Sequence, residues 1–151
     1  MFFKYFILAL SVLFSTVCFT APKNLSLTTI QGQVLTKKDL IGRWLILHYW
    51  ASWCDVCISE MPVIQKLTKT VPLSKAQIFL INYDHLNTSK QLAILHDLGV
   101  TAPSLQGNPA AIFGIKDISA LPTTIVINPK GEVQKVFIGP QLTETFINLL
   151  A

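Results

Sequence analysis

The sequence predicts a single α/β domain in which a central mixed β-sheet is flanked by helices. Two continuous apolar runs, residues 44–50 and 77–84, have the length of buried strands, and each is followed by apolar residues at helical spacing. The last third of the chain instead has the pattern of a strand, a turn, a second strand and a helix. Strands separated by helices pair in parallel and a hairpin pairs antiparallel, so the predicted sheet is mixed. A length of 151 residues suits one core rather than two.

The first half of the domain follows from strand and helix spacing. Its predicted elements are a hairpin at 24–30 and 34–35, a short helix or turn at 37–42, a strand at 44–50, a helix from 57 to 70, and a strand at 77–84. The hairpin alternates apolar and polar residues around Gly32, whereas both later strands are apolar almost throughout, as strands buried on both faces are. Pro62 lies inside the helix and is expected to kink it, because proline lacks the amide hydrogen.

The second half has two helical segments and a closing hairpin. Its predicted elements are a helix at 89–98, a loop at 100–107, a short helix at 109–115, strands at 123–128 and 132–138, and a helix at 142–150. Gly99 ends the first helix, and Pro109 occupies the first turn of the second. The turn between the last two strands makes them antiparallel partners.

Residues 1–21 differ in composition from the rest of the chain. Lys4 is their only charge, and residues 5–19 are nearly all apolar. A short basic start followed by such a run predicts a signal peptide, because a membrane-spanning helix needs roughly 20 apolar residues. An uncleaved membrane anchor is the alternative. The predicted domain is therefore residues 22–151, in a periplasmic or other extracytoplasmic location.

The charge of the chain excludes one class of partner. The formal net charge is +4, and removal of the leader with its Lys4 lowers it to +3. The basic residues are scattered, with Lys37 and Lys38 the only adjacent pair. No basic stripe interleaved with aromatic residues is present in the sequence, so no nucleic-acid partner is expected.

Cys54 and Cys57 carry the predicted chemistry. They are the only cysteines left once residues 1–21 are removed, and they lie where the strand 44–50 passes into a helix. At a helix N-terminus, backbone N–H groups and the helix dipole stabilise a thiolate, the reactive form of cysteine. A disulfide closing so short a loop removes little chain entropy, so a redox role is favoured over a structural one. A zinc half-site has the same spacing, but the sequence has no second CxxC or histidine pair at ligand spacing.

The order of elements, with CxxC at the first long helix and Leu121-Pro122-Thr123-Thr124 before the last hairpin, resembles the thioredoxin fold. More closely, the chain resembles the exported TlpA/ResA-like (DsbE-type) branch of thiol–disulfide oxidoreductases. The matching segments are 39–44, 49–54, Glu60, Pro62, 113–115, 121–124 and 127–131. The resemblance runs from about residue 24 to the C-terminus. It implies a thioredoxin fold with an extra N-terminal β-hairpin.

The resemblance also implies roles for the residues around the cysteine pair. Cys54 is expected to be the exposed nucleophile and Cys57 the more buried cysteine that resolves the mixed disulfide. Glu60, on the same helix face as Cys57, is expected to accept a proton in the reducing step, with a surface carboxylate as the alternative.

Substrate binding is expected at four further residues, namely Trp53, Leu121, Pro122 and Thr123. The Leu121–Pro122 bond is expected to be cis and to place the Leu121 backbone beside the sulfurs, where an extended substrate strand can pair with it. Trp53 is expected to cover the disulfide.

The activity implied is that of a protein-disulfide oxidoreductase that needs no cofactor and no metal. Its partners would be thiols and disulfides of envelope proteins. The implied direction is reductive, with electrons from a membrane thiol reductase of the DsbD/CcdA kind. Cytochrome c maturation, with a CxxCH apocytochrome as substrate, is one possibility consistent with the resemblance.

Two departures from the family pattern leave alternatives open. The spacer Asp55-Val56 lacks the proline common before the second cysteine, and Asp55 either opposes thiolate formation or is simply an exposed first-turn residue. His48 replaces the buried aspartate of thioredoxins, either as a proton relay or, as we prefer, as a hydrogen-bonded core histidine.

Two other functions are alternatives to the oxidoreductase that reduces its targets. A DsbA-like thiol oxidase is disfavoured, because residues 22–151 leave no room for a helical insertion. A copper-binding or copper-delivery protein could use Cys54, Cys57 and one histidine.

Overall fold

A computed structural model describes residues 25–151 of the chain. The predicted leader, residues 1–21, lies outside the described residues, so its two interpretations stay predictions. Within residues 25–151 no helix combines the length and the apolar character that crossing a membrane requires.

The described part of the chain alternates strands and helices in the predicted order. The strands are β1 (Ser26–Thr28), β2 (Val34–Thr36), β3 (Trp44–Trp50), β4 (Ala76–Asn82), β5 (Ser104–Leu105), β6 (Thr123–Ile127) and β7 (Val133–Ile138). The helices are α1 (Lys37–Leu40), α2 (Asp55–Thr70), α3 (Thr88–Asp97) and α4 (Thr143–Leu150), and a 3-10 helix spans Ala110–Phe113.

The strand β3 lies at the centre of a five-stranded sheet with the order β5-β4-β3-β6-β7. It pairs in parallel with β4 and antiparallel with β6, while β4 is parallel to β5 and β6 is antiparallel to β7. Because β3 and β4 are parallel neighbours, their carboxyl ends lie at the same edge of the sheet. Residues 51–54 and 83–87, which follow these ends, are therefore side by side, and the cysteine pair begins there.

Each face of the sheet is covered by its own apolar cluster. On one face β3, β4 and β6 pack against α2, α3 and α4, through Ile46, Trp50, Ile78, Leu80, Val126, Met61, Ile64, Leu67, Leu95, Phe146 and Leu150. On the other they pack against the β1–β2 hairpin, α1 and the 3-10 helix, through Leu25, Leu27, Leu40, Leu45, Leu47, Tyr49, Phe79, Ile81, Phe113, Ile125 and Ile127. Burial on both faces explains why β3 and β4 have apolar side chains in successive positions rather than alternating ones.

The mixed sheet flanked by helices and the N-terminal hairpin are confirmed, since β1 and β2 pair antiparallel in a sheet of their own. The prediction of a loop at 100–107 was wrong at β5, where Ser104 pairs with Leu80 of β4. A two-residue strand has too few side chains for alternation to reveal it, and the pairing with β4 alone defines it. The helix α2 begins at Asp55, two residues earlier than predicted, and continues through Pro62.

Candidate redox site

Cys54 and Cys57 form a disulfide at the N-terminus of α2. Cys54 is the N-cap residue of α2, and its Sγ accepts a hydrogen bond from the Cys57 N–H at 3.2 Å. Its carbonyl oxygen accepts the Ile58 N–H at 3.0 Å, as the first bond of the helix. The positive end of the helix dipole therefore lies at the Cys54 sulfur, together with an N–H donor that can stabilise a thiolate.

The two cysteines differ in their exposure to solvent. Cys57 is 0% exposed and Cys54 is 8% exposed, so a second thiol can approach Cys54 only. Cys54 is more buried than an exposed nucleophile was expected to be, because its side chain turns inward to cap α2. The neighbouring Trp53 is 67% exposed, and Val56 is exposed on the other side of Cys54 in sequence.

The segment before β6 packs against the apolar cluster that contains the cysteine pair. The Leu121–Pro122 peptide bond is cis, as predicted. Leu121 is half-buried and packs against the apolar cluster that contains both cysteines. Thr123 is buried, and its hydroxyl donates to the Ala120 carbonyl oxygen at 2.7 Å, so its side chain supports the turn and does not face solvent.

Glu60 is a buried carboxylate one turn after Cys57. It is 2% exposed, and its Oε1 accepts the backbone N–H of Gln141 at 2.8 Å. Its Oε2 is buried with no hydrogen-bond partner among the described residues. Burial raises the pKa of Glu60, and the hydrogen bond from Gln141 opposes that rise. A surface carboxylate, the alternative from sequence, is therefore excluded for Glu60.

His48 is fully buried on the face of β3 that packs against α2. Its Nδ1 lies 2.9 Å from the hydroxyl oxygen of Thr124, its partner residue in β6. Its Nε2 has no hydrogen-bond partner within residues 25–151. Burial lowers the pKa of His48 to about 4, so the imidazole is neutral at pH 7. His48 is therefore the core histidine preferred from the sequence, but within residues 25–151 only one of its two ring nitrogens has a hydrogen-bond partner.

Sequence reasoning missed two residues beside the pair, Ser52 and Asp84. Asp84 was predicted to end a strand, but β4 ends at Asn82 and Asp84 lies in the following loop. There its carboxylate accepts two hydrogen bonds from Ser52, one from the N–H at 3.1 Å and one from the hydroxyl. One feature of the sequence could have indicated Asp84. It is a polar residue just after the carboxyl end of a buried strand, at the sheet edge where the cysteine pair begins.

Metal-ligating side chains are dispersed in the described part of the chain. Within it, no group of three or more His, Cys, Asp or Glu side chains is arranged to hold a metal ion.

Comparison with known proteins identifies the family. The model of the AhpC/TSA family matches residues 19–136 of this chain. The chain belongs to that family. Among relatives of this AhpC/TSA protein, thiol-disulfide oxidoreductase ResA of Bacillus subtilis is 29% identical over 125 residues, covering 83% of this chain and 69% of ResA. Thioredoxin-like protein YneN of the same organism is 30% identical over 118 residues, covering 77% of this chain and 68% of YneN.

Solved structures agree with the sequence relatives. The crystal structure of StoA from Bacillus subtilis matches with a TM-score of 0.71 and 25% identity, covering 87% of this chain and 99% of StoA. This AhpC/TSA family member is therefore of the TlpA/ResA-like, thioredoxin-fold type and is a protein-disulfide oxidoreductase. The family and the fold class predicted from the sequence are confirmed.

Proposed function

We propose that this protein is an exported reductant, which transfers electrons from Cys54 and Cys57 to disulfides of other envelope proteins. The observation that carries the proposal is the unequal placement of the two sulfurs at one helix N-terminus. Cys54 caps α2 and keeps some access to solvent, whereas Cys57 has none. This asymmetry supports a first attack by Cys54 and a second, intramolecular attack by Cys57.

The proposed cycle starts from the dithiol form. The Cys54 thiolate attacks one sulfur of the target disulfide, forming a mixed disulfide and releasing the other target sulfur as a thiolate. The Cys57 thiolate then attacks the Cys54 sulfur, forming the Cys54–Cys57 disulfide and releasing the second target thiolate. The target gains two electrons, and the protein loses two.

Glu60 supplies the proton acceptor for the second step. Cys57 is 0% exposed, so direct loss of its thiol proton to bulk water is slow at neutral pH. Glu60 lies three residues further along α2 on the same helix face, and its Oε2 is unpartnered within the described residues. A raised pKa makes this carboxylate a better base near neutral pH, so it can take the Cys57 proton as the thiolate forms.

Apolar side chains around the pair supply the proposed substrate contacts. Trp53 and Val56 are exposed next to Cys54 in sequence, and half-buried Leu121 packs against the cluster that contains both cysteines. An extended apolar segment around a target cysteine fits this surface, with the Leu121 backbone as its pairing edge. In this proposal Pro122 and Thr123, both buried, shape the turn that presents Leu121.

The reductive direction requires an upstream donor. Acidic side chains at Asp55 and Asp84 disfavour a thiolate nearby and so favour the disulfide form over the dithiolate. From the resemblance to the TlpA/ResA-like family, we propose a membrane thiol reductase of the DsbD/CcdA kind as the donor and a CxxCH apocytochrome as one candidate target. A periplasmic or extracytoplasmic location follows from the leader pattern in residues 1–21.

The reduction potential of the Cys54–Cys57 couple, equilibrated in dithiol buffers, tests the direction. We expect a value near that of thioredoxin, about −270 mV, whereas a value near about −120 mV would make the protein an oxidant. Absence of any reversible two-electron couple would contradict the oxidoreductase function itself. Cys57→Ser should trap target proteins on Cys54 as mixed disulfides, and the matched Cys54→Ser variant should trap none.

A further inference from the structure

Asp84 accepts hydrogen bonds at both of its carboxylate oxygens, and one of the two oxygens binds the segment that carries the redox pair. Oδ2 accepts the Ser52 N–H at 3.1 Å and the Ser52 hydroxyl. Oδ1 accepts a hydrogen bond from the side-chain amide of Asn82. Ser52 lies two residues before Cys54, so the carboxylate is attached to the turn from which the nucleophile projects.

The contact belongs to a larger connection between the loops that follow β3 and β4. The Tyr83 N–H donates to the Trp50 carbonyl oxygen at 2.8 Å, which extends the strand pairing by one step. The Asn82 Oδ1 accepts the Leu86 N–H at 2.8 Å, which closes the second loop on itself. The loop at 83–87 is therefore fixed by hydrogen bonds to β3 and within itself. Its contact with Ser52 is made through Asp84.

We propose that Asp84 is a positioning residue for the redox pair: through Ser52 it holds the turn that presents Trp53 and Cys54, and its negative charge beside that turn disfavours the Cys54 thiolate. The inference deepens the proposed function and rests on it, because it concerns the reactivity of the same nucleophile.

The charge on Asp84 persists at neutral pH. Burial alone would raise the pKa of Asp84, but the hydrogen bonds donated by Ser52 and Asn82 outweigh burial and lower the pKa below its ordinary value. Ser52 and Asn82 are neutral donors, so their hydrogen bonds do not cancel the negative charge of Asp84. A thiolate at Cys54 is therefore still repelled by that charge.

Few ionisable side chains besides Asp84 lie on the segments around Cys54. They are His48 of β3, Asp55, Cys57 and Glu60 in the first two turns of α2, and Tyr83 and His85 of the loop after β4. The turn at 118–122 and the segment at 139–142 carry none. Asp55 is exposed on the helix surface, whereas Asp84 is held in place by its three hydrogen bonds. Unlike Asp55, Asp84 is therefore held by the fold at a fixed distance from Cys54.

Two variants of the full chain separate the positioning role of Asp84 from the effect of its negative charge. Asp84→Asn removes the charge, while its amide oxygen can still accept the Ser52 N–H. Ser52→Ala removes the hydroxyl bond and keeps the charge. Asp97→Asn is the control, because Asp97 is an exposed aspartate at the far end of α3, away from the sheet edge that carries Cys54.

The first readout is alkylation of the reduced protein by iodoacetamide between about pH 5 and pH 9, with peptide mapping to separate Cys54 from Cys18 and Cys57. For Asp84→Asn we expect the Cys54 rate near pH 6 to rise about two- to tenfold and the whole profile to move to lower pH. The second readout is insulin reduction at a pH where Cys54 is ionised. For Ser52→Ala we expect it to slow about threefold or more, with the alkylation profile unmoved.

An Asp84→Asn profile that coincides with those of the wild type and Asp97→Asn would overturn the proposal, as would an unchanged insulin rate in Ser52→Ala. If circular dichroism shows that Asp84→Asn does not fold, Asp84→Ser carries the same expectation. Alkylation needs no electron transfer, so coincident profiles count against Asp84 alone. A wild-type protein without a reversible couple would count against the proposed function instead.

Discussion

The Glu60 carboxylate of α2 accepts the backbone N–H of Gln141 at 2.8 Å. This bond joins the helix that carries both cysteines to the segment between β7 and α4. It holds one carboxylate oxygen and leaves the other buried and unpartnered within residues 25–151. A carboxylate fixed in this way can accept a proton without rearranging its surroundings.

Replacing Glu60 by Gln should slow the resolving step. The glutamine oxygen can still accept the Gln141 N–H, but the side chain can no longer take the Cys57 proton. We expect insulin reduction at pH 7 to fall about tenfold or more, because general base catalysis typically contributes 10²- to 10⁴-fold. The loss should shrink as pH rises, since hydroxide then deprotonates Cys57 without help.

Glu144→Gln is the matched control, because Glu144 is exposed on α4 and forms a surface ion pair with Lys66 at 3.4 Å. An equal loss of activity at every pH in Glu60→Gln would indicate a packing defect and contradict the proton-transfer role.

His48 should make the protein less stable in mild acid. Its pKa is about 4 in the folded protein against an ordinary 6.5, so between these values the unfolded chain binds a proton that the folded protein does not. The free energy of unfolding should therefore fall as pH decreases from about 6.5 to about 4, by at most about 3 kcal/mol from this residue. Above that window His48 contributes no pH dependence.

Urea unfolding of the wild type and His48→Asn at several pH values measures this contribution. Glu60 acts in the opposite sense, because burial raises its pKa: stability present below its ordinary value of 4.5 is lost as pH rises above it. Comparing the two proteins cancels the Glu60 contribution. Parallel stability curves for wild type and variant would contradict the prediction, and the exposed His96→Asn should give such a parallel curve.

Thr124→Val should destabilise the fold through His48. Valine preserves the shape of threonine but removes the hydroxyl that meets the His48 Nδ1 at 2.9 Å. Both ring nitrogens would then be buried without partners, at a cost of about 1–3 kcal/mol in the free energy of unfolding. Thr88→Val, at the exposed start of α3, should stay within about 0.5 kcal/mol. Equal effects of the two substitutions in urea unfolding would argue against the pairing.

Trp53→Ala should weaken substrate binding without altering the fold. Trp53 is 67% exposed, so its removal takes little from the core, but it removes apolar surface beside Cys54. We expect kcat/KM for a protein disulfide to fall about tenfold, or about 1.4 kcal/mol, with no change for a small disulfide. Leu73→Ala, at a site 69% exposed before β4 and at the opposite sheet edge, should leave both rates unchanged. Loss of activity toward both substrates in Trp53→Ala would place Trp53 in the chemistry itself.

The local pattern of apolar residues was sufficient to predict most of the strands and helices. The apolar run of β3 matched the observed Trp44–Trp50, and the helical spacing after Cys57 located α2 to within two residues. The position of CxxC between these elements followed from the same pattern, whereas the cis Leu121–Pro122 bond was expected from the resemblance to the thioredoxin fold. Periodicity succeeds here because a strand buried on two faces and a helix buried on one impose their spacing on neighbouring residues.

The contacts around the site were decided by tertiary structure alone. Glu60 meets Gln141 across 81 residues, His48 meets Thr124 across 76, and Ser52 meets Asp84 across 32. Each depends on strand register and on how the segments after β3, β4 and β7 pack, and spacing along the chain does not encode these. The sequence by itself therefore determined which residues could do redox chemistry. Only the tertiary structure decided which distant side chains position these residues, which place a charge beside them and which can exchange a proton with them. The physical reason is that a hydrogen bond between residues remote in sequence forms only once both of their elements are packed in place.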